Sequence, residues 1–112
     1  MSKTYDLGGL MALQQDLHAW RRNNFPSSDH THQFFGVVEE VGELSHAILK
    51  REQGIRGFKS DQQIQDAIGD ITIFLMNYAS AMGFNFATIL ANVSEEVMDR
   101  DWINFPINGV SE

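Results

Sequence analysis

Five carboxylates in two short clusters are the residues of this chain best suited to chemistry. The first cluster is Glu39–Glu40–Val41–Gly42–Glu43 and the second is Asp66–Ala67–Ile68–Gly69–Asp70. Glu40 and Glu43 stand three apart, and Asp66 and Asp70 four apart. Either spacing sets both acids of a pair on one face of a helix. Gly36 and Ala47 share the face of the Glu pair, and Val37, Val41 and Leu44 border it, so these acids belong at the edge of a core. Like charges gathered in a partly buried place cost free energy unless protons or cations neutralise them. Mg²⁺ is suited to that task, as a hard ion that takes one or two carboxylates plus phosphate oxygens and water. Glu40, Glu43, Asp66 and Asp70 together suffice for about two or three Mg²⁺ or Mn²⁺ ions. A single Glu pair at this spacing is usually a solvated helix face; two pairs flanked by core residues are less often accidental.

The elements that must carry these acids read as four helices, with no strand pattern, repeat or interdomain linker. The first spans about Asp6 to Asn24, with Leu10, Leu13, Leu17 and Trp20 at helical spacing. Pro26 and Ser27–Ser28–Asp29 end it. The second spans about His32 to Arg51, with Phe34, Val37, Val38, Val41, Leu44 and Ile48 as its inward stripe. Gly54 and Gly57 mark the next loop. Ser60–Asp61–Gln62–Gln63 reads as a capping box opening the third helix, which continues to about Met82. From Ile71 to Met76 only Thr72 is polar, so this helix is expected to be central and buried. Gly83 suits the residue after its end, and Asn85 the cap of a fourth helix from Phe86 to about Asp101, with Ile89, Leu90, Val93, Val97 and Met98 inside. The expectation is an all-α, four-helix bundle-like domain of two helical hairpins that oligomerises.

Bulk composition narrows the function classes. The 112 residues fit one domain, with a core over about 6–103 and a short tail over 104–112. Hydrophobic residues at 43% allow a real core. Eight Lys plus Arg against fifteen Asp plus Glu give a net charge of −7, which argues against a duplex nucleic-acid binder. It does not argue against phosphorylated small molecules, because a bound cation inverts the local charge. No cysteine is present, which removes thiolate zinc sites, disulfides and Cys nucleophiles together. No apolar run approaches the roughly 20 residues needed to cross a bilayer, and no signal peptide is visible. A cytoplasmic protein without membrane partners is expected.

At the acidic clusters the sequence resembles the MazG-like, all-α nucleoside triphosphate pyrophosphohydrolases, which include all-α dUTPase and dCTPase relatives. That family carries E-E-x-x-E on one helix and E-x-x-D on the next. Glu39–Glu40–Val41–Gly42–Glu43 is similar to the first motif in full, and Asp66–Ala67–Ile68–Gly69–Asp70–Ile71 to the second. Ile73–Phe74–Leu75–Met76–Asn77–Tyr78–Ala79 resembles the apolar run that follows, and Gly83–Phe84–Asn85–Phe86 the turn into the last helix. The resemblance covers about residues 10 to 103. Two positions depart from it. Ala67 stands where the family has its second-motif Glu, with Asp66 one residue earlier as replacement, and Glu95 and Glu96 occupy the stretch where the last helix often has a Lys.

The resemblance implies hydrolysis of a nucleoside triphosphate, in particular a deoxynucleoside triphosphate, to monophosphate and pyrophosphate, for nucleotide-pool control. Glu40, Glu43, Asp66 and Asp70 would hold Mg²⁺, with Mn²⁺ able to substitute, and Glu39 or Glu43 would orient the attacking water or take its proton. A homodimer or homotetramer is expected. Trp20, Phe34 and Phe74 are candidates to stack on a base, a contact worth ~1–3 kcal/mol; ordinary core is the competing reading. Asn77, two turns beyond Asp70, has an amide able to read a base or sugar. Lys50, Arg51, Arg56 and Lys59 surround the loop between the acidic helices, and Lys50, Lys59 and Arg100 are candidate phosphate contacts. His18, His30 and His32 are candidates for the pocket entrance. Glu43–Leu44–Ser45–His46 is a Glu-x-x-His, but no His follows His46 to build the second such motif of a di-iron bundle. The rival readings are hydrolysis of another nucleotide, such as a nucleoside diphosphate or phosphoribosyl-ATP, and a non-catalytic helical interaction module whose acids are remnants.

Overall fold

In the computed structural model, residues 6–55 and 60–111 are described. They form four helices, α1 (Gly8–Asn24), α2 (His30–Glu52), α3 (Ser60–Ala81) and α4 (Phe86–Met98), and no strand. The side chain of Ser60, and with it the expected capping box, lies outside the described residues, as do Arg56, Gly57 and Lys59.

Local chemistry sets the helix ends. Asp29 caps α2, its Oδ1 accepting from the His32 amide at 3.1 Å, while His32 Nδ1 accepts from the Asp29 amide at 3.1 Å. This reciprocal cap starts α2 two residues earlier than the apolar stripe suggested, because His here takes the place of the usual Glu or Gln. Gly83 has φ of 77°, the left-handed conformation that glycine adopts without cost, and the Phe84 amide reaches back to the Ala79 carbonyl at 2.7 Å. Asn85 then caps α4 through the Thr88 amide at 3.1 Å. Thr72 hydrogen-bonds the Ile68 carbonyl at 2.8 Å, so the single polar residue of the apolar run is satisfied within α3.

Helix α3 is the centre of the fold, in contact with α1, α2 and α4. Against α2 it runs antiparallel: Gly36 meets Phe74, Glu40 meets the field of Asp70, and Arg51 pairs with Asp61 at 2.9 Å. Gly36 is required by the approach, since a Cβ there would lie 2.2 Å from a ring carbon of Phe74. Gln14 of α1 fastens the other side. Its amide donates to Ser80 Oγ at 2.9 Å and the Phe84 carbonyl at 3.0 Å, and accepts from the Phe86 amide at 2.8 Å. One polar side chain thereby joins α1 to the α3–α4 turn, a role that its sequence neighbourhood did not signal.

The expected second hairpin is not formed within one chain, because α3 and α4 diverge at 109°. The expected interior is also thinner than anticipated. Among the described residues the buried apolar side chains are Ala47, Ala67, Met76, Ala79 and Ala87. Ile89, Leu90, Val93, Val97 and Met98 of α4, all expected inside, are 44–57% exposed. Phe34, Val38, Val41 and Ile48 of α2 are likewise exposed, while Val37 and Leu44 are half-buried. The radius of gyration is 17.7 Å, against about 13 Å for a compact chain of this length. The reason is geometric: a splayed α4 leaves its apolar face, and the outer face of α2, without a facing layer. No single helix among the described residues is long and apolar enough to cross a membrane.

Candidate functional site

One face of α3 organises the site. Gln63, Asp66, Ala67, Asp70, Ile73, Phe74 and Asn77 follow one another along it at helical spacing. Its first half, with Glu39, Glu40, Glu43, His46 and Ala47 of α2, lines a cavity of about 460 Å³. Its second half, with residues of α1 and the α1–α2 loop, lines a cleft of about 1000 Å³. Asp70 belongs to both. The two concavities are therefore adjacent, one acidic and the other largely apolar.

The acidic cavity gathers all five carboxylates picked out from the sequence: Glu39, Glu40, Glu43, Asp66 and Asp70. Among the described residues, no Lys or Arg lines it. Glu40 is half-buried, and burial pushes its carboxyl above the usual range, with the charges of Asp70, Glu39 and Glu43 pushing the same way. The five carboxylates are hard oxygen donors, with the His46 imidazole on the same lining, and a set dominated by carboxylates fits Mg²⁺ or Mn²⁺. Among the described residues, however, no three acids or imidazoles converge closely enough to hold one ion in common. Ala67 is 4% exposed and faces this cavity from α3, so the position that carries Glu in the resembled family points into the site here without a carboxylate. Asp66 lines the same cavity from the neighbouring position.

The apolar cleft is walled by Leu17, Trp20, Phe25, Ile73 and Phe74. Trp20 is 54% exposed and meets Phe25 edge-on, with ring centroids 5.9 Å apart. Three polar side chains buried in this wall are Asn77, Gln33 and Arg21. Arg21 donates through Nη1 to the Ser28 carbonyl at 3.0 Å, and Nη2 lies 2.8 Å from His18 Nδ1. Gln33 donates to Ser28 Oγ. Ser28 thus ties α1 to α2 where the cleft closes. Arg21 Nε and Asn77 Oδ1 are sealed from solvent and have no hydrogen-bond partner among the described residues, a state that costs about 1–3 kcal/mol for each group. Burial also lowers the pKa of Arg21, helped by the charge of Arg22, and lowers that of His18, helped by Arg21 and Arg22.

Of the sequence-nominated substrate contacts, Trp20, Phe74 and Asn77 lie in the cleft. Phe34, Lys50 and Arg100 line neither concavity. Phe34 packs on Phe35, with centroids 5.8 Å apart, on the exposed face of α2. Arg100 lies against the C-terminal turn, its Cβ 2.9 Å from where a Cβ on Gly109 would stand. Lys59 lies outside the described residues. Sequence reasoning passed over Arg21, Gln33 and Ser28, whose signal is long-range: Arg21 is one of two adjacent arginines ending α1, and only the fold shows which one turns inward. Of the histidines, His32 lines the cleft and His46 the acidic cavity.

Comparison of the chain with protein families, with curated proteins and with solved structures gives no match in any of the three.

Proposed function

We propose that the chain is a Mg²⁺-dependent nucleoside triphosphate pyrophosphohydrolase that converts a nucleoside triphosphate and water to monophosphate and pyrophosphate in nucleotide-pool control. The observation that carries this reading is the shared wall at Asp70, which sets a five-carboxylate cavity beside an apolar cleft. A nucleotide has the same two-part chemistry, a flat base and a polyanion. With the base between Trp20 and Phe74, the phosphates would extend past Asp70 toward Glu40, Glu43 and Asp66.

Divalent cations, when bound, supply charge neutralisation for the phosphate oxygens and a lowered pKa for water. Glu40, Glu43, Asp66 and Asp70 would hold them. Glu39 or Glu43 would orient a water toward the α-phosphorus and take its proton. The water oxygen bonds to the α-phosphorus as the bond to the α–β bridging oxygen breaks, and pyrophosphate leaves with that oxygen. The exposed apolar faces of α2 and α4 are consistent with a homodimer or homotetramer, in which a second copy supplies the missing layer.

A second reading, a helical interaction module with remnant acids, draws on Ala67 and on the lack of three converging ligands. One experiment separates the two: incubation with a panel of nucleoside triphosphates and Mg²⁺ or Mn²⁺, products resolved by chromatography. Monophosphate plus pyrophosphate, abolished by EDTA and by Glu43→Gln, is expected. Orthophosphate plus diphosphate would overturn the cleavage position. No turnover, with no Mg²⁺-dependent rise in melting temperature, would select the interaction module.

A further inference from the structure

Helix α2 packs on α3 and on no other helix among the described residues, with Gly36, Glu40 and Ala47 on the packed side. The opposite side carries Phe34, Phe35, Val38, Val41, Ile48 and Leu49, which are 45–61% exposed. Phe34, Val38, Val41, Ser45 and Ile48 succeed one another by alternating steps of four and three, the 3.5-residue repeat of a helix that packs along its length on another helix. Gly42 lies within that stripe. Glycine in a helix interior is unfavourable, because its backbone loses more freedom on folding than that of any other residue. At Gly36 the close approach of Phe74 accounts for it, but a Cβ on Gly42 would meet nothing within 4 Å. Nothing among the described residues requires a glycine at 42; a helix approaching from outside would.

The stripe is also symmetric about its centre. Counting outward from between Val41 and Gly42, Val38 corresponds to Ser45, Phe35 to Ile48 and Phe34 to Leu49. A two-fold contact demands such a pattern, because one patch meets itself, residue i on j and j on i. We propose that α2 is the seam of a homodimer, packing antiparallel on α2 of a second copy, with the two-fold axis between Val41 and Gly42. This rests on the homodimer of the functional reading above and not on the reaction. In this register Phe34 and Phe35 meet Leu49 and Ile48 of the second copy at both ends, while Gly42 and Ser45 make room at the middle. Sliding the pair by seven residues would carry Phe34 and Phe35 past Glu52, or Ile48 and Leu49 past His30, where α2 ends. The chain exposes 8451 Å², against about 6,200 Å² for a compact monomer of its 12.7 kDa, so surface remains for the roughly 1,200–2,000 Å² that a stable pair buries. Val41 and Gly42 stand between Glu40 and Glu43, so the axis braces α2 at the level of the acidic cavity.

The chain has no cysteine, so introduced thiols report the contact without background. The full chain is oxidised with copper–phenanthroline and resolved by non-reducing electrophoresis. Val41→Cys should give a covalent dimer, since the two copies of residue 41 face each other across the axis. Val38→Cys and Ser45→Cys should each stay monomeric on the gel, because each residue lies about 10 Å along the seam from its own copy, beyond the roughly 7 Å that a disulfide can bridge. The double variant Val38→Cys/Ser45→Cys should cross-link, because each thiol then faces the other. Sedimentation equilibrium of Gly42→Gln gives a second readout that needs no cross-link. The added side chain has open space within one chain, so helicity by circular dichroism should be kept while self-association weakens about ten-fold or more. A Gly42→Gln protein that melts higher and associates as tightly as the wild type would overturn the seam. A wild-type dimer whose thiols cross-link in another pattern would overturn the seam and retain the homodimer; a monomeric wild type would overturn both. Turnover of nucleoside triphosphates judges the hydrolase reading separately.

Discussion

Gly36→Ala tests whether the α2–α3 contact sets the geometry of both concavities. The added Cβ would stand 2.2, 2.3 and 2.7 Å from three ring carbons of Phe74. Carbon atoms pack at about 3.5–4.0 Å, so the ring or a helix must retreat by roughly 1.3 Å or more. Overpacking of this kind typically costs about 1–3 kcal/mol. For a chain of this size that corresponds to a fall in melting temperature of roughly 4–20 °C. The displacement has a functional consequence, because Glu40 lies one turn from Gly36 and Asp70 one turn from Phe74. Separating the helices at 36 and 74 moves the two acids apart and shifts a wall of the cleft. Thermal unfolding followed by circular dichroism, with and without Mg²⁺, measures both effects. Gly36→Ala should melt lower and show a smaller Mg²⁺-dependent rise than the wild type. Phe74→Leu should recover much of the loss in the double variant, since the contact is shared. A Gly36→Ala protein as stable as the wild type, with an unchanged Mg²⁺ response, would refute the claim that this close approach positions the site.

Three further outcomes are expected. Glu40 binds its proton more readily folded than unfolded, so its contribution to stability is most favourable below its ordinary value of 4.5 and declines as pH rises through the raised folded value. Glu40→Gln should therefore melt close to the wild type at acid pH and above it at neutral pH in EDTA, an advantage that Mg²⁺ cancels; equal melting curves at all pH values would show that Glu40 is not strained by its neighbours. Ala67→Glu places a carboxylate at a buried position on the acidic cavity, and should lower stability in EDTA by about 1–3 kcal/mol while tightening Mg²⁺ binding about ten-fold in a thermal titration; unchanged Mg²⁺ binding would remove position 67 from the site. Leu90 is 49% exposed on α4, so a partner can still bury about half of a Leu side chain, worth roughly 0.8–1.5 kcal/mol, and twice that in a two-fold dimer. Leu90→Asp should weaken self-association by about ten-fold or more in sedimentation experiments, and a wild-type protein that sediments at 12.7 kDa would refute the dimer.

The chain exposes 8451 Å², against about 6,200 Å² for a compact monomer of 12.7 kDa, an excess of about 2,200 Å². Stable homodimers bury areas of this order and above. The excess bears on the proposed site, since α2 carries apolar residues on its outer face and three of the acids on the side that lines the acidic cavity. Covering α2 from outside would hold Glu39, Glu40 and Glu43 against α3.

Periodicity alone determined most of the local architecture. The number of helices, the glycine stop at Gly83, the Asn85 cap and the centrality of α3 follow from spacings of 3–4 residues, which the backbone enforces within each helix. The same spacing placed Glu40 with Glu43 and Asp66 with Asp70, and put Asn77 two turns beyond Asp70. What it left open was every question of what faces what. Whether Arg21 or Arg22 turns inward, that Gln14 bridges to Ser80 and Phe84, and that Phe34 and Arg100 line neither concavity while Trp20 and Phe74 share a cleft depend on contacts between residues distant in the chain. Helical periodicity gives each helix an apolar stripe but does not say which neighbour covers it. The 109° angle between α3 and α4 leaves one such stripe bare, and the close approach at Gly36 brings the two acidic faces to one cavity.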